Sequence, residues 1–178
     1  MKLIIGLGNP GDKYKKTRHN LGFLTIDELI EAHNLHQATY NKKFNALISK
    51  NVLNGKKIIL AKPQIYMNNS GRVVRFLIEN LKLKIENLVV IHDDIDLPLG
   101  KIRIQKGRGS AGHKGVESII NALNTKDFTR IRIGIKSENK EQRTENSKKF
   151  VLQKFTASEE KVIRPVIKKA VQIIWATL

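Results

Sequence analysis

The passage from strand to turn at the start of the chain narrows the possible folds more than any other stretch. Residues 3–7, LIIGL, carry no polar side chain, and Gly6, Gly8, Asn9, Pro10 and Gly11 then force a tight turn. A short, wholly apolar strand belongs inside a sheet, and in an open α/β sheet the loops leaving the carboxyl ends of strands form the ligand crevice. Arg18, His19 and Asn20 stand just before the periodic apolar run Leu21, Leu24, Ile26, Leu29 and Ile30, which puts His19 at the mouth of a helix. The segment therefore brings an amide (Asn9), a phenol (Tyr14) and an imidazole (His19) to one end of a strand.

The rest of the chain alternates in the same manner. Residues 35–43 read as polar and turn-like; 44–50 and 56–62 read as an antiparallel pair joined by Asn54-Gly55. Pro63 stops the second strand, and Ser70 is the expected N-cap of a helix carrying Val73, Val74, Leu77, Ile78 and Leu81. Residues 88–91, LVVI, form a central-type strand that ends in His92, Asp93, Asp94 and Asp96. Residues 101–105 and 129–135 alternate polar and apolar like half-exposed strands, and between them lie a glycine-rich basic loop, 106–115, and a helix. The charged stretch 136–149 reads as a mobile surface loop or lid. A short helix at 150–155 and a C-terminal helix follow, the latter capped by Ser158, Glu159 and Glu160 and interrupted by Pro165. The class is α/β: residues 1–178 as a single domain, a mixed twisted central sheet with helices on both faces.

Charge points to a polyanionic partner. Lys and Arg number 33 against 16 Asp and Glu, a formal net charge of +17, and a field of that sign attracts nucleic acid. The same totals would follow from a genome biased towards Lys, Ile and Asn codons, so clustering matters more than the sum. The candidates for a phosphate-following surface are Arg103, Lys106, Arg108, Arg130 and Arg132, with Lys13, Lys15 and Lys16 nearer the crevice; a solvated strand face explains them nearly as well. With no cysteine, the chain depends on no disulfide, and no apolar run approaches the roughly 20 residues that span a bilayer. A cytoplasmic protein with no membrane partner is expected.

Four chemistries compete for the motifs. Gly6, Gly8 and Gly11 satisfy the dinucleotide pattern, but the charged stretch 12–18 stands where the helix should open. Gly107 and Gly112 have phosphate-loop spacing, yet His113 interrupts the glycine-lysine pair and Gly115 replaces the hydroxyl that would hold magnesium. Asp93, Asp94 and Asp96, with His92, could form a hard-cation site, although the second acidic cluster such a hydrolase needs is missing. The fourth reading is acid-base chemistry: His19, its ring kept neutral by the helix dipole, as a general base, with Asp93 on its far nitrogen fixing the tautomer. Asn9 and Asn68, on two crevice loops, could then serve a developing oxyanion.

The motifs GLGNPG, TRHNLGF, KPQIYMNNSG (62–71), VVIHDDIDLPLGKIRI (89–104), GSAGHKG (109–115) and FTRIRIGI (128–135), in that order, resemble the bacterial peptidyl-tRNA hydrolases over nearly the whole chain. The resemblance implies hydrolysis of the ester between peptide and tRNA, without metal or cofactor, by a monomeric enzyme of ribosome rescue that holds the acceptor stem and 3′ end. It implies that His19 and Asp93 are catalytic, and that Asn9 and Asn68 bind the peptidyl end and distinguish a blocked amino terminus from a free one. It also implies that Tyr14 and Tyr66 contact substrate, while Arg103, Lys106, Arg108 and Arg132 are the candidates for tRNA. One position departs from the family pattern: Lys114 stands where an asparagine is common. Lysine can donate but not accept, so that contact is either remade with an anion or lost. The alternative is a non-catalytic RNA-binding protein on the same fold; an esterase for small acyl substrates is a third.

Overall fold

The structure, a computed structural model, describes residues 1–53, 55–137 and 147–178. Most of the stretch expected to be a loop or lid (138–146), together with Asn54, lies outside the described residues. Seven strands form one sheet: β1 (Lys2–Gly6), β2 (Thr39–Asn41), β3 (Ala46–Leu53), β4 (Lys56–Pro63), β5 (Leu88–Pro98), β6 (Ile102–Gln105) and β7 (Thr129–Lys136), in the order β2-β3-β4-β1-β5-β7-β6. β4, β1, β5 and β7 are mutually parallel, whereas β2, β3 and β6 are antiparallel additions at the two edges.

Side chains alternate across this sheet with period two and so supply two cores. Leu3, Ile5 and Leu7 pack on one face with α2 (Ser70–Leu81) and α3 (Lys114–Leu123). Ile4 faces the other way, towards α1 (Leu21–Ala32) and α5 (Ala157–Ala176), which contribute Leu21, Ile26, Leu29, Ile163, Ile167 and Ala170. A short α4 (Ser147–Val151) precedes α5. The α/β class with helices on both faces is thus the observed one.

The opening glycines serve packing. A Cβ on Gly22 would lie 2.3 Å from the Leu7 nitrogen and 2.4 Å from the Ile91 carbonyl oxygen, and one on Gly6 would lie 2.4 Å from the Gly22 carbonyl oxygen. α1 therefore sits against the strand backbones with no space for a methyl group, which fixes how far the turn before it reaches over β1 and β5. Gly22→Ala is expected to destabilise the fold by about 1–3 kcal/mol, since the obstructing atoms are backbone and cannot step aside. A urea titration measures this, and an unchanged midpoint would show that the helix can lift.

Four local expectations are corrected. Residues 39–41 form the edge strand β2, which lacks apolar alternation because its side chains are largely exposed, Tyr40 at 57%. β5 does not end at Ile91 but continues through Asp93 and Asp94 to Pro98, paired with β7. Ser70 is the first residue of α2 and caps nothing; its hydroxyl is buried without a partner among the described residues. The last helix is capped by Thr156, whose hydroxyl accepts from the Glu159 amide while the Glu159 carboxylate accepts from the Thr156 amide, and it runs through Pro165.

Candidate active site

The carboxyl ends of β1, β4 and β5 open into a cavity of about 570 Å³. Asp93 is at its base, 1% exposed, still on β5. The single turn Arg18–Asn20, just before α1, delivers His19, whose Nδ1 donates to the two Asp93 carboxylate oxygens at 2.9 and 3.1 Å. His113, its ring centroid 4.9 Å from that of His19, donates from Nε2 to the same Asp93 Oδ1 at 3.0 Å. Position 113 is also the N-cap of α3: its Nδ1 accepts from the amides of Gly115 and Val116, both at 3.2 Å. Those two amides require a lone pair on Nδ1, so the proton of neutral His113 is on Nε2, facing Asp93.

The tautomer of His19 follows likewise. An ionised carboxylate only accepts, so Nδ1 carries the proton and Nε2 keeps the lone pair. Burial pulls the His19 pKa down, but the neighbouring Asp93 charge and its hydrogen bond outweigh that, and the net shift is upward. The dipole expected to keep this ring neutral is therefore overridden by the carboxylate. For Asp93, burial acts to raise the pKa, while the two imidazoles hold it well below the ordinary carboxylate range. His92, fully buried beneath His113, donates from Nδ1 to the Asp93 carbonyl oxygen at 2.6 Å; burial first, and His113 second, keep it uncharged.

Asn9 is equally constrained. Its backbone N–H donates to Asn20 Oδ1, and Asn20 Nδ2 donates back to the Asn9 carbonyl oxygen, both at 2.9 Å. Its side-chain Oδ1 accepts from the Met67 amide at 2.8 Å, which assigns the amide orientation and leaves Nδ2 as the donor end. Asn9 and His19 both line the cavity.

The model of the peptidyl-tRNA hydrolase family matches residues 3–178. The chain belongs to this family. Among curated peptidyl-tRNA hydrolases, that of Aquifex aeolicus is 48% identical, the match covering 98% of this chain and 88% of the relative. The Oceanobacillus iheyensis protein is 43% identical over 99% of this chain and 91% of its own length. The crystal structure of peptidyl-tRNA hydrolase from Acinetobacter baumannii superimposes with a TM-score of 0.86 at 31% identity, covering 97% of this chain and 85% of that one.

Against this peptidyl-tRNA hydrolase fold the expected residues divide into two sets. Asn9, Tyr14, His19, Tyr66, Asn68, Asp93 and Lys114 all line the one cavity, Tyr14 and Tyr66 meeting edge to face at its rim with centroids 6.4 Å apart. Lys114 is exposed and paired with Glu117 at 2.9 Å. Arg103, Lys106 and Arg108 are exposed but lie outside the cavity lining. Arg132 is corrected: its side chain is 13% exposed, donates from Nε to Asp94 Oδ2 at 2.7 Å and reaches Gln105, so it is not an outward phosphate contact. Arg130 is 2% exposed and donates to the Arg108 carbonyl oxygen. Both are hemmed in because β7 is an internal strand, and Asp94 of β5, Gln105 of β6 and the Arg108 carbonyl just beyond β6 engage them.

The acidic-cluster reading is corrected too. Asp94 is engaged by Arg132 and by the amides of Asp96 and Leu97, and Asp96 is exposed, so the three carboxylates do not converge. The residues that do converge are His19, Asp93 and His113, with the nitrogens and oxygens already joined by hydrogen bonds. His113 and Asn20 were not singled out in the sequence. The signals for them were a histidine one residue before a helix start in a glycine-rich loop, and the motifs GSAGHKG and TRHNLGF that contain the two residues.

Proposed function

We propose that this chain hydrolyses the ester between the C-terminal carboxyl of a peptide and the 3′-terminal ribose of tRNA, with His19 as general base and Asp93 as its orienting partner. The observation that carries the reading is the double clasp on Asp93. Its charge is held by His113 and presented to His19 Nδ1, which leaves Nε2 of His19 as the basic atom at the cavity. His19 Nε2 takes a proton from water as its oxygen adds to the ester carbonyl. Asp93 stabilises the imidazolium; the Asn9 side-chain Nδ2–H stabilises the oxyanion. Collapse expels the ribose oxygen, which recovers the proton from His19. General-base help of this kind contributes about 10²–10⁴ in rate and an oxyanion donor about 10²–10³.

Asn68, Tyr14 and Tyr66 then bind the peptidyl end, and exposed Arg103, Lys106 and Arg108, with Lys114 at the rim, follow the phosphates of the acceptor stem and 3′ end. Affinity of that kind falls with salt and ignores tRNA identity. The proposal includes a single-domain monomer acting in the cytoplasm on products of stalled translation; among the described residues no helix is long and apolar enough to cross a membrane. A non-catalytic RNA-binding protein has no use for a buried carboxylate between two imidazoles with fixed tautomers, so the enzyme is preferred.

The test compares N-acetyl-aminoacyl-tRNA with free aminoacyl-tRNA and with small acyl esters. Cleavage of the blocked substrate is expected to be faster by about 10² or more, with KM rising steeply between low and moderate salt. Equal cleavage of small esters, indifferent to salt, would overturn the proposal in favour of a general esterase.

A further inference from the structure

His19 is held from two directions. Asp93 grips its ring, and the residue before it anchors its backbone. Arg18 is 1% exposed, with its guanidinium 4.3 Å from the Phe150 ring and 5.4 Å from that of Phe155. Its Nη2 donates to Glu159 Oε2 at 2.6 Å, its Nη1 to the Lys154 carbonyl oxygen at 2.8 Å, and its backbone N–H to the Gln153 carbonyl oxygen at 3.0 Å. Thr17 bridges Lys154 in the same place. Every one of these partners belongs to the segment from α4 to the start of α5, whose Ser147, Lys148, Val151 and Leu152 line the cavity. One buried cation therefore joins the turn that carries the base to one wall of the substrate cavity.

As a source of stability this pair is poor. Taking two charges out of water offsets most of their attraction, and an apolar side chain between two phenylalanine rings does as well or better. The pair is also incompletely satisfied: Arg18 Nε and Glu159 Oε1 have no hydrogen-bond partner among the described residues. What the ion pair offers over an apolar contact is direction, since a planar fork held by two hydrogen bonds beside two aromatic rings admits little sliding.

We infer that Arg18, through Glu159 and the Lys154 carbonyl, is a positioning residue for the reaction, holding the His19 turn and the α4 wall in register as one unit. The inference rests on His19 being the base. Arg18 and Glu159 touch no reacting atom; the titratable groups facing His19 are Asp93 from β5 and His113 from the head of α3.

The test is the double variant Arg18→Met/Glu159→Gln in the full chain, where glutamine can still cap Thr156. Its melting temperature is expected within about 4 °C of wild type, because the lost attraction is offset by the relieved desolvation. Its kcat for N-acetyl-aminoacyl-tRNA is expected to fall about 10-fold or more, with KM rising about threefold, since misplacement by a fraction of an ångström is enough. The His19 ring titration, followed by nitrogen-15 NMR, should move down towards the ordinary histidine range as the contact with Asp93 loosens. A merely structural pair would change none of these in the folded protein, and unchanged kcat and titration overturn the inference. Should the double variant not fold, Glu159→Gln alone decides, in the same direction and to a smaller degree. Full turnover in these variants while His19→Ala is inactive would overturn this inference only; full turnover in His19→Ala would overturn the function proposed above.

Discussion

Replacing His19 with alanine is expected to lower kcat for N-acetyl-aminoacyl-tRNA by about 10²–10⁴ while tRNA binding stays near normal. The two effects separate because His19 is 9% exposed, beside Asp93, whereas the exposed arginines and lysines that would meet phosphates lie elsewhere. The wild-type pH profile supplies a second readout. The base must be neutral to work, and its pKa is raised above the ordinary histidine value, with burial opposing and Asp93 prevailing. Activity should therefore be fully present above that raised value and be lost as pH falls through it. Asp93 adds no limb of its own, because it stays ionised well below the ordinary carboxylate range. In His19→Ala the residual rate should no longer show that limb. Retained turnover, or a residual rate with the same limb, would remove His19 from its role.

How much of this was legible in the sequence depended on whether a residue's job is local or spatial. His19 and Asp93 are legible because one stands just before a periodic apolar run and the other just after a wholly apolar one, and apolar stretches are the most readable signal in the chain. The apolar strand pattern nevertheless stops at Ile91, short of Asp93. Charged residues break a strand pattern, and only the tertiary partners of Asp93 and Asp94, two imidazoles and Arg132, make it possible for β5 to continue through them. His113 was overlooked for the same reason. Its N-capping bonds to Gly115 and Val116 are local, but its value comes from Asp93, twenty residues away in sequence and 3.0 Å away in space. Arg130 and Arg132 differ in the opposite way: alternation marks them as outward, but a buried carboxylate engages Arg132 and the Arg108 carbonyl engages Arg130. The opening glycines matched a dinucleotide pattern by composition, whereas Gly6 makes room for the backbone of α1.

Asp93→Asn tests the clasp itself and is expected to lower kcat by about 10³–10⁴ with little change in tRNA binding, the size of loss seen when the same change is made in a serine-protease triad. The amide has nearly the shape of the carboxylate, so the argument concerns protons. Two N–H groups point at the carboxylate, one from each imidazole. His113 cannot yield, because its Nδ1 lone pair is committed to the amides of Gly115 and Val116. The asparagine oxygen must therefore take the Oδ1 place, where it accepts from both imidazoles, and the NH₂ takes the Oδ2 place, 3.1 Å from the same His19 nitrogen. The NH₂ there is a donor facing a donor, and one neutral oxygen must now serve two N–H groups, so the clasp that orients His19 weakens. The negative charge that would have stabilised the imidazolium is gone as well. The two losses act through one ring, so His19→Ala/Asp93→Asn should be no slower than His19→Ala alone. Additive losses in the double variant, or Asp93→Asn retaining a tenth or more of the wild-type kcat, would show that the carboxylate acts on something other than His19.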